Sequence, residues 1–153
     1  MKDLLRCALV AAACVSLVAG CGQGAVRVNP PTSAGEAAAA CRALHDHLPR
    51  EVMGKDRRST EPRSPYVAAW GDPPIVLRCG VRRPAALTPT SQLAVVNGVS
   101  WLPIPERHPR RLVTVGRAAY VEVLVPKTYQ PPANTLVDLA GPVKRSVPER
   151  AGS

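Results

Sequence analysis

The sequence predicts an α+β fold. It consists of an antiparallel sheet of about five strands, with an N-terminal and a C-terminal helix on one face. The strands are two hairpins plus one further strand tied to the first helix by a disulfide. Three observations lead there. Asn97-Gly98 sits between two short apolar runs, the strongest local hairpin signal. Val121, Val123 and Val125 alternate with Tyr120, Glu122 and Leu124, the period of a half-buried strand. Seventeen prolines in 153 residues, about twice the usual ~5%, argue against a mostly helical chain.

The elements follow in order. Ser33-Ala34-Gly35-Glu36 has capping-box spacing. Ala37, Cys41, Leu44 and Leu48 then recur on one face of a helix that Pro49 ends. Residues 50–65 are charged and broken by Pro62 and Pro65, and read as an exposed loop with room for a short strand. Tyr66 to Trp70 reads as a strand, Gly71-Asp72-Pro73-Pro74 as a turn, and Ile75 to Cys79 as the next strand. Leu93–Val96 and Val99–Leu102 flank Asn97-Gly98, whose turn is predicted to be type I′. Leu112–Val115 and Ala118–Val125 flank Gly116-Arg117, read as a two-residue type II′ loop. Pro103 to Arg110 is a Pro-rich loop between these hairpins. Pro131-Pro132 opens the last helix, with Leu136, Leu139, Ala140 and Val143 on its apolar face. Gly141-Pro142 is expected to kink or end it.

Domain organisation starts with residues 1–20. Lys2 and Arg6 precede an uncharged run from Cys7 to Ala19. A helix of that length spans ~20 Å, short of the ~30 Å hydrocarbon core. The segment is therefore a signal peptide rather than a membrane span. Leu17-Val18-Ala19-Gly20-Cys21 resembles the lipobox of bacterial lipoproteins. That resemblance implies cleavage before Cys21, a diacylglycerol thioether on its sulfur and acylation of the new amino group. Two or three acyl chains anchor stably where one does not. The alternative is ordinary secretion with Cys21 as a bystander. Residues 21–35, rich in Gly, Pro, Ser and Thr, read as a flexible membrane tether. Residues 36–148 form a single domain, and 149–153 a polar tail.

Cleavage removes Cys7 and Cys14, and lipid takes Cys21. Cys41 and Cys79 remain as an even pair in an oxidising compartment, the count expected of a disulfide. A disulfide between them closes a loop of about 39 residues, which contributes roughly 4 kcal/mol by chain entropy. A metal or redox role is the alternative, and no Cys-x-x-Cys supports it.

The chain carries a net charge of +9, with Arg outnumbering Lys sixteen to four. The charge reads either as codon bias of a GC-rich genome or as attraction to anionic headgroups and wall polymers. An extracytoplasmic location disfavours nucleic acid, and the 3% aromatic content leaves few stacking platforms.

Several strings taken together resemble a known family. They are Ala69-Trp70-Gly71-Asp72-Pro73-Pro74-Ile75-Val76-Leu77-Arg78-Cys79-Gly80, then Val96-Asn97-Gly98-Val99-Ser100-Trp101, and Val115-Gly116-Arg117 with Tyr120-Val121-Glu122-Val123. They resemble an actinobacterial family of small secreted lipoproteins catalogued as domain of unknown function 3515. The resemblance runs from about Cys41 to Pro148. It implies an envelope location and a Cys pair at Cys41 and Cys79, and it implies no activity.

Candidate chemistry is sparse. His45 and His47 lie about 200° apart on a helix, so they cannot share a metal, and His108 is in a loop. All three read as solvated, and no metal or cofactor is expected. There is no Gly-x-Ser-x-Gly elbow and no Gly-rich phosphate loop. Trp70, Asp72 and Arg78 surround one turn, and Arg117 sits on another with Glu122 nearby. These five are the candidate ligand or interaction residues, with Trp as an apolar face and Arg as an anion partner. The favoured alternative is that both Trp residues complete a core lacking Phe and Asp72 caps a Pro turn. Arg117 is expected either to point into solvent or to pair with Asp72 or Glu122.

The function expected is a lipid-anchored binding or interaction domain on the extracytoplasmic face of the cell membrane. Its expected partner is an envelope protein or an anionic wall polymer, and Arg78, Arg117 and the Arg82-Arg83 pair would serve the polymer. The alternative is an enzyme acting on envelope glycan or lipid.

Overall fold

A computed structural model describes residues 24–105 and 109–150. Residues 1–20, read from sequence as a signal peptide, lie outside the described residues, as do Cys21 and His108. The chain runs β1 (Val26–Arg27), α1 (Gly35–His47), β2 (Glu51–Val52), β3 (Lys55–Arg58), β4 (Thr60–Glu61), β5 (Val67–Trp70) and β6 (Ile75–Val81). It continues β7 (Ala94–Val96), β8 (Val99–Ile104), β9 (Arg110–Thr114), β10 (Tyr120–Val125) and α2 (Pro132–Ser146).

The fold is α+β, as expected, with more strands than the sequence suggested. Eight form one sheet in the order β2-β3-β5-β6-β10-β9-β8-β7. Every pairing within it is antiparallel. β1 and β4 form a separate parallel pair. The extra strands come from residues 50–65. Their side chains are mostly charged, so no apolar alternation marks them, and backbone pairing with β5 organises them.

Both helices pack on one face of the sheet and on each other. Leu44, Trp70, Leu77, Trp101, Val121, Val123, Leu136 and Leu139 fill the space between, all nearly inaccessible to solvent. At ~1.5–3 kcal/mol for each large apolar side chain buried, this layer holds the domain together. The Cys41–Cys79 disulfide fastens α1 to β6 inside it. Asn97 and Gly98 both have positive φ (50° and 79°), and Val96 pairs with Val99, as a type I′ hairpin requires.

Several expectations are corrected. The capping box fails: Ala34 precedes α1 with no side-chain cap, and Ser33 instead lies against Gly80. The supposed tether is docked from Gly24 onward. Val26 and Val28 are buried against Val67, Ala69 and Val76 on the helix-free face, which gives the segment an apolar reason to stay. The Gly116-Arg117 loop is longer than two residues, since β9 stops at Thr114 and β10 starts at Tyr120. Thr114 closes it: its hydroxyl donates to the Ala119 carbonyl and accepts from the Val121 N–H. Gly141-Pro142 does not end α2, which continues to Ser146. Proline inside a helix is disfavoured by ~3 kcal/mol, less than the burial of Leu136, Leu139 and Val143 together contributes. The expected tail is partly tied down, because Ala118 N–H donates to the Pro148 carbonyl and Arg150 N–H to the Gly116 carbonyl.

Pro103 and Ile104, expected in a loop, extend β8. β7 pairs only as far as Trp101, so Pro103 stands where β8 has no outer partner and needs no donor.

Candidate functional site

The helix-free face carries the charged site. β6 and β10 are in register with Arg78 opposite Glu122, and β9 lies on the far side of β10. Arg78 Nη1 donates to Glu122 Oε1 at 2.9 Å. Arg111 Nε stands 3.5 Å from Glu122 Oε2. The carboxylate is 5% exposed and both its oxygens face a guanidinium. A buried acid without such partners would be strongly disfavoured. Glu122 thus holds two arginines side by side.

The chain adds two more where β6 ends. Arg82 and Arg83 follow Val81 directly. Arg83 donates to the Leu87 carbonyl at 2.9 Å and to Tyr120 Oη at 3.5 Å, which folds the next loop back onto the sheet. Arg82 is exposed and has no hydrogen-bond or ion-pair partner among the described residues. The docked N-terminal segment supplies the opposite wall through Pro31 and Thr32. Arg78 Nε fixes that wall by donating to the Asn29 carbonyl at 3.2 Å.

The result is a cavity of about 640 Å³ lined by Arg78, Arg82, Arg83, Arg111 and Glu122, with Val81 and Val113 as apolar floor. Among the described residues of the lining, four guanidiniums stand against one carboxylate, an excess of three positive charges. Guanidiniums grip oxyanions through paired, charge-assisted hydrogen bonds.

Of the five residues singled out from sequence, Arg78 and Glu122 meet here. Trp70 is fully buried in the helix-side core, on the opposite face from Arg78, and its indole N–H donates to the Pro49 carbonyl. Asp72 stands 3.7 Å from Arg58 rather than joining Arg78. Arg117 neither points into solvent nor reaches Asp72 or Glu122. It is 4% exposed, donates to the carbonyls of Val147 (2.8 Å) and Gly98 (3.2 Å), and pairs with Glu149 at 3.5 Å. Its role is to fasten the end of α2 to two loops. Sequence reasoning missed Arg111, since the register that brings β9 beside Glu122 through β10 cannot be read locally.

His45 and His47 serve separate contacts. His47 Nδ1 lies 2.7 Å from the Ala43 carbonyl and 3.2 Å from Ser146 Oγ. Arg57 donates to the His45 ring at 3.2 Å and lies 5.9 Å over the Trp70 ring. Burial, then the Arg57 charge, lowers the His45 pKa from its usual 6.5. A second, more open cavity of about 550 Å³ runs past His45, Arg57 and Arg63. Its Arg57 is committed to His45 and Trp70. Its Arg63, like Arg82, is exposed with no hydrogen-bond or ion-pair partner among the described residues. The first cavity is set apart by four arginines converging beside a buried glutamate.

Fold and site together define a disulfide-bonded α+β domain with helices on one sheet face and a cationic pocket on the other. Residues 4–152 match the family described as Protein of unknown function (DUF3515), and the chain belongs to that family. No curated protein and no solved structure matches it.

Proposed function

We propose that this is a lipid-anchored binding domain of the bacterial cell envelope, held on the extracytoplasmic face through Cys21. The arginine pocket is its binding site, and its partner is an anionic wall polymer or an acidic surface of an envelope protein. The observation that carries the reading is the convergence of four arginines on one cavity beside a buried glutamate. An enzyme acting on envelope glycan or lipid is less well supported. The carboxylate in the pocket, Glu122, is committed to Arg78 and Arg111.

The docked N-terminal segment adds a geometric element. The Gly24 carbonyl accepts a hydrogen bond from Arg58, and Cys21 lies three residues earlier. Three residues span at most about 10 Å. An anchor on Cys21 would therefore keep the domain close against the membrane rather than at the end of a long tether.

The test is in-cell crosslinking of the tagged full chain, with partners identified by mass spectrometry, beside fractionation of wild type and Cys21→Ser. The reading expects wild type in the membrane fraction and Cys21→Ser released. It also expects either one dominant protein partner or salt-sensitive retention by wall material. A Cys21→Ser chain that fractionates like wild type would overturn the anchoring.

A further inference from the structure

We infer that the pocket between Arg78, Arg82, Arg83 and Arg111 takes the phosphate group of a phosphate ester. The inference rests on the binding-domain reading above and names the chemistry of its ligand.

The donors argue for phosphate over carboxylate. Glu122 is already the pocket's carboxylate, and its two oxygens engage Arg78 and Arg111. A second planar carboxylate would satisfy one guanidinium fork and leave the others unmatched. A phosphate presents several strong acceptor oxygens in a tetrahedral array and can be gripped from several sides at once. The donors come from several parts of the fold: β6 for Arg78, β9 for Arg111, and the chain after β6 for Arg82 and Arg83. Among the described residues the lining has an excess of three positive charges, so these residues stay net cationic after accepting an anion of one or two charges.

Arg82 is the residue most available for capture, because it is exposed and engages nothing else among the described residues. Arg83 is half-committed: its Nη2 holds the Leu87 carbonyl, and its weak 3.5 Å contact with Tyr120 Oη can yield to a stronger acceptor.

Size and lining argue for an ester rather than the bare ion. A cavity of about 640 Å³ has room beyond a single phosphate, and Pro31, Val81, Pro84 and Ala85 give that room apolar walls. An organic remainder fits there. A phospholipid headgroup and a polyol-phosphate polymer share this chemistry.

The experiment uses the detergent-solubilised full chain. It is titrated calorimetrically with glycerol phosphate, a short-chain phosphatidylglycerol below its micelle concentration, and acetate. Arg82→Ala is compared with Arg50→Ala, an exposed arginine outside the pocket lining. Both variants are first checked for unchanged thermal midpoints. Saturable binding of a phosphate probe is expected, with acetate ineffective. Arg82→Ala should weaken it tenfold or more, as loss of a charge-assisted hydrogen bond does, while Arg50→Ala leaves it unchanged. Tighter binding of phosphatidylglycerol assigns the pocket to a lipid headgroup. Tighter binding of glycerol phosphate assigns it to a polymer or a soluble ester. No saturable phosphate binding, equal binding of acetate, or equal losses in both variants overturns the inference. Fractionation of Cys21→Ser is scored separately, so failure of the ligand and failure of the anchoring remain distinguishable.

Discussion

Arg78 and Glu122 face each other across adjacent strands, 2.9 Å apart, on the sheet face that both helices leave open. Glu122 is the more buried partner and also faces Arg111 at 3.5 Å. Removing the acid takes away the carboxylate that lies between two cationic groups. Breaking a fully buried pair typically destabilises by 3–5 kcal/mol. The Arg78 and Arg111 side chains are 31% and 40% exposed, so water recovers part of this. Glu122→Ala is expected to lose about 1–3 kcal/mol, measured by urea unfolding. An unchanged midpoint would show that Glu122 does not hold the arginines.

Arg117 gives a contrasting expectation. Its guanidinium is buried and ties the Val147 and Gly98 carbonyls together. Arg117→Ala leaves both acceptors without this donor and is expected to destabilise by about 2–3 kcal/mol. Lysine cannot reproduce the two-pronged contact, so Arg117→Lys should recover little. Phosphate binding by the folded fraction should be unaffected. Loss of binding without loss of stability would instead make Arg117 a ligand residue.

The disulfide joins residues 38 positions apart. Closing a loop of that length removes denatured-state entropy worth roughly 4 kcal/mol at 25 °C. The paired substitution Cys41→Ala with Cys79→Ala is expected to lose about that much in urea unfolding of the oxidised proteins. A loss below about 1 kcal/mol would mean that the packing of α1 on β6 alone secures the helix.

What was legible in the sequence is what local patterning encodes. Val121, Val123 and Val125 could be placed in the core because alternation alone decides which face a strand buries. The Asn97-Gly98 hairpin needed only its turn residues. Lys55–Arg58 could not be seen as a strand, because its side chains report solvent while its backbone pairs with β5. Val26 and Val28 make too short a pattern to announce docking. For the site, the sequence marks Arg78 and Glu122 only as separate residues. Their pairing, and the arrival of Arg111, depend on β6 adjoining β10 rather than β7. That is a long-range choice made by the core as a whole.

His45 links stability to pH. Burial and the Arg57 charge lower its pKa in the folded chain, so the unfolded chain binds the proton more readily. Stability is therefore fully present above the unfolded value of about 6.5. It falls as pH drops below that value toward the lowered folded one. Urea midpoints at pH 7.5 and 5.5 should differ for wild type, and the difference should shrink in His45→Gln. An identical pH dependence in the two proteins would show that His45 contributes nothing to it.

Gly80 connects the sheet to the docked N-terminal segment and allows the docking itself to be tested. Its φ is +87°, and a Cβ there would lie 2.6 Å from Ser33 Oγ and 2.7 Å from Ser33 Cβ. Gly80→Ala therefore has two effects. The backbone conformation is strained by about 1–2 kcal/mol, and the chain at Ser33 must move away. That chain carries Pro31 and Thr32, one wall of the arginine pocket, and continues back to Val28 and Val26 on the sheet. Arg27 is exposed as a side chain, but its backbone is paired with β4. The variant should therefore be cut by trypsin after Arg27 faster than wild type, and its phosphate-ester binding should weaken several-fold. Adding Ser33→Gly relieves the contact but not the backbone strain. The double variant should recover protection at Arg27 and ligand affinity while remaining less stable than wild type. If cleavage at Arg27 is equally slow in all three proteins, the segment is not held through Ser33. The wall of the pocket must then be secured by its other contacts, namely Arg78 on Asn29, Arg58 on Gly24, the two buried valines and the pairing of β1 with β4.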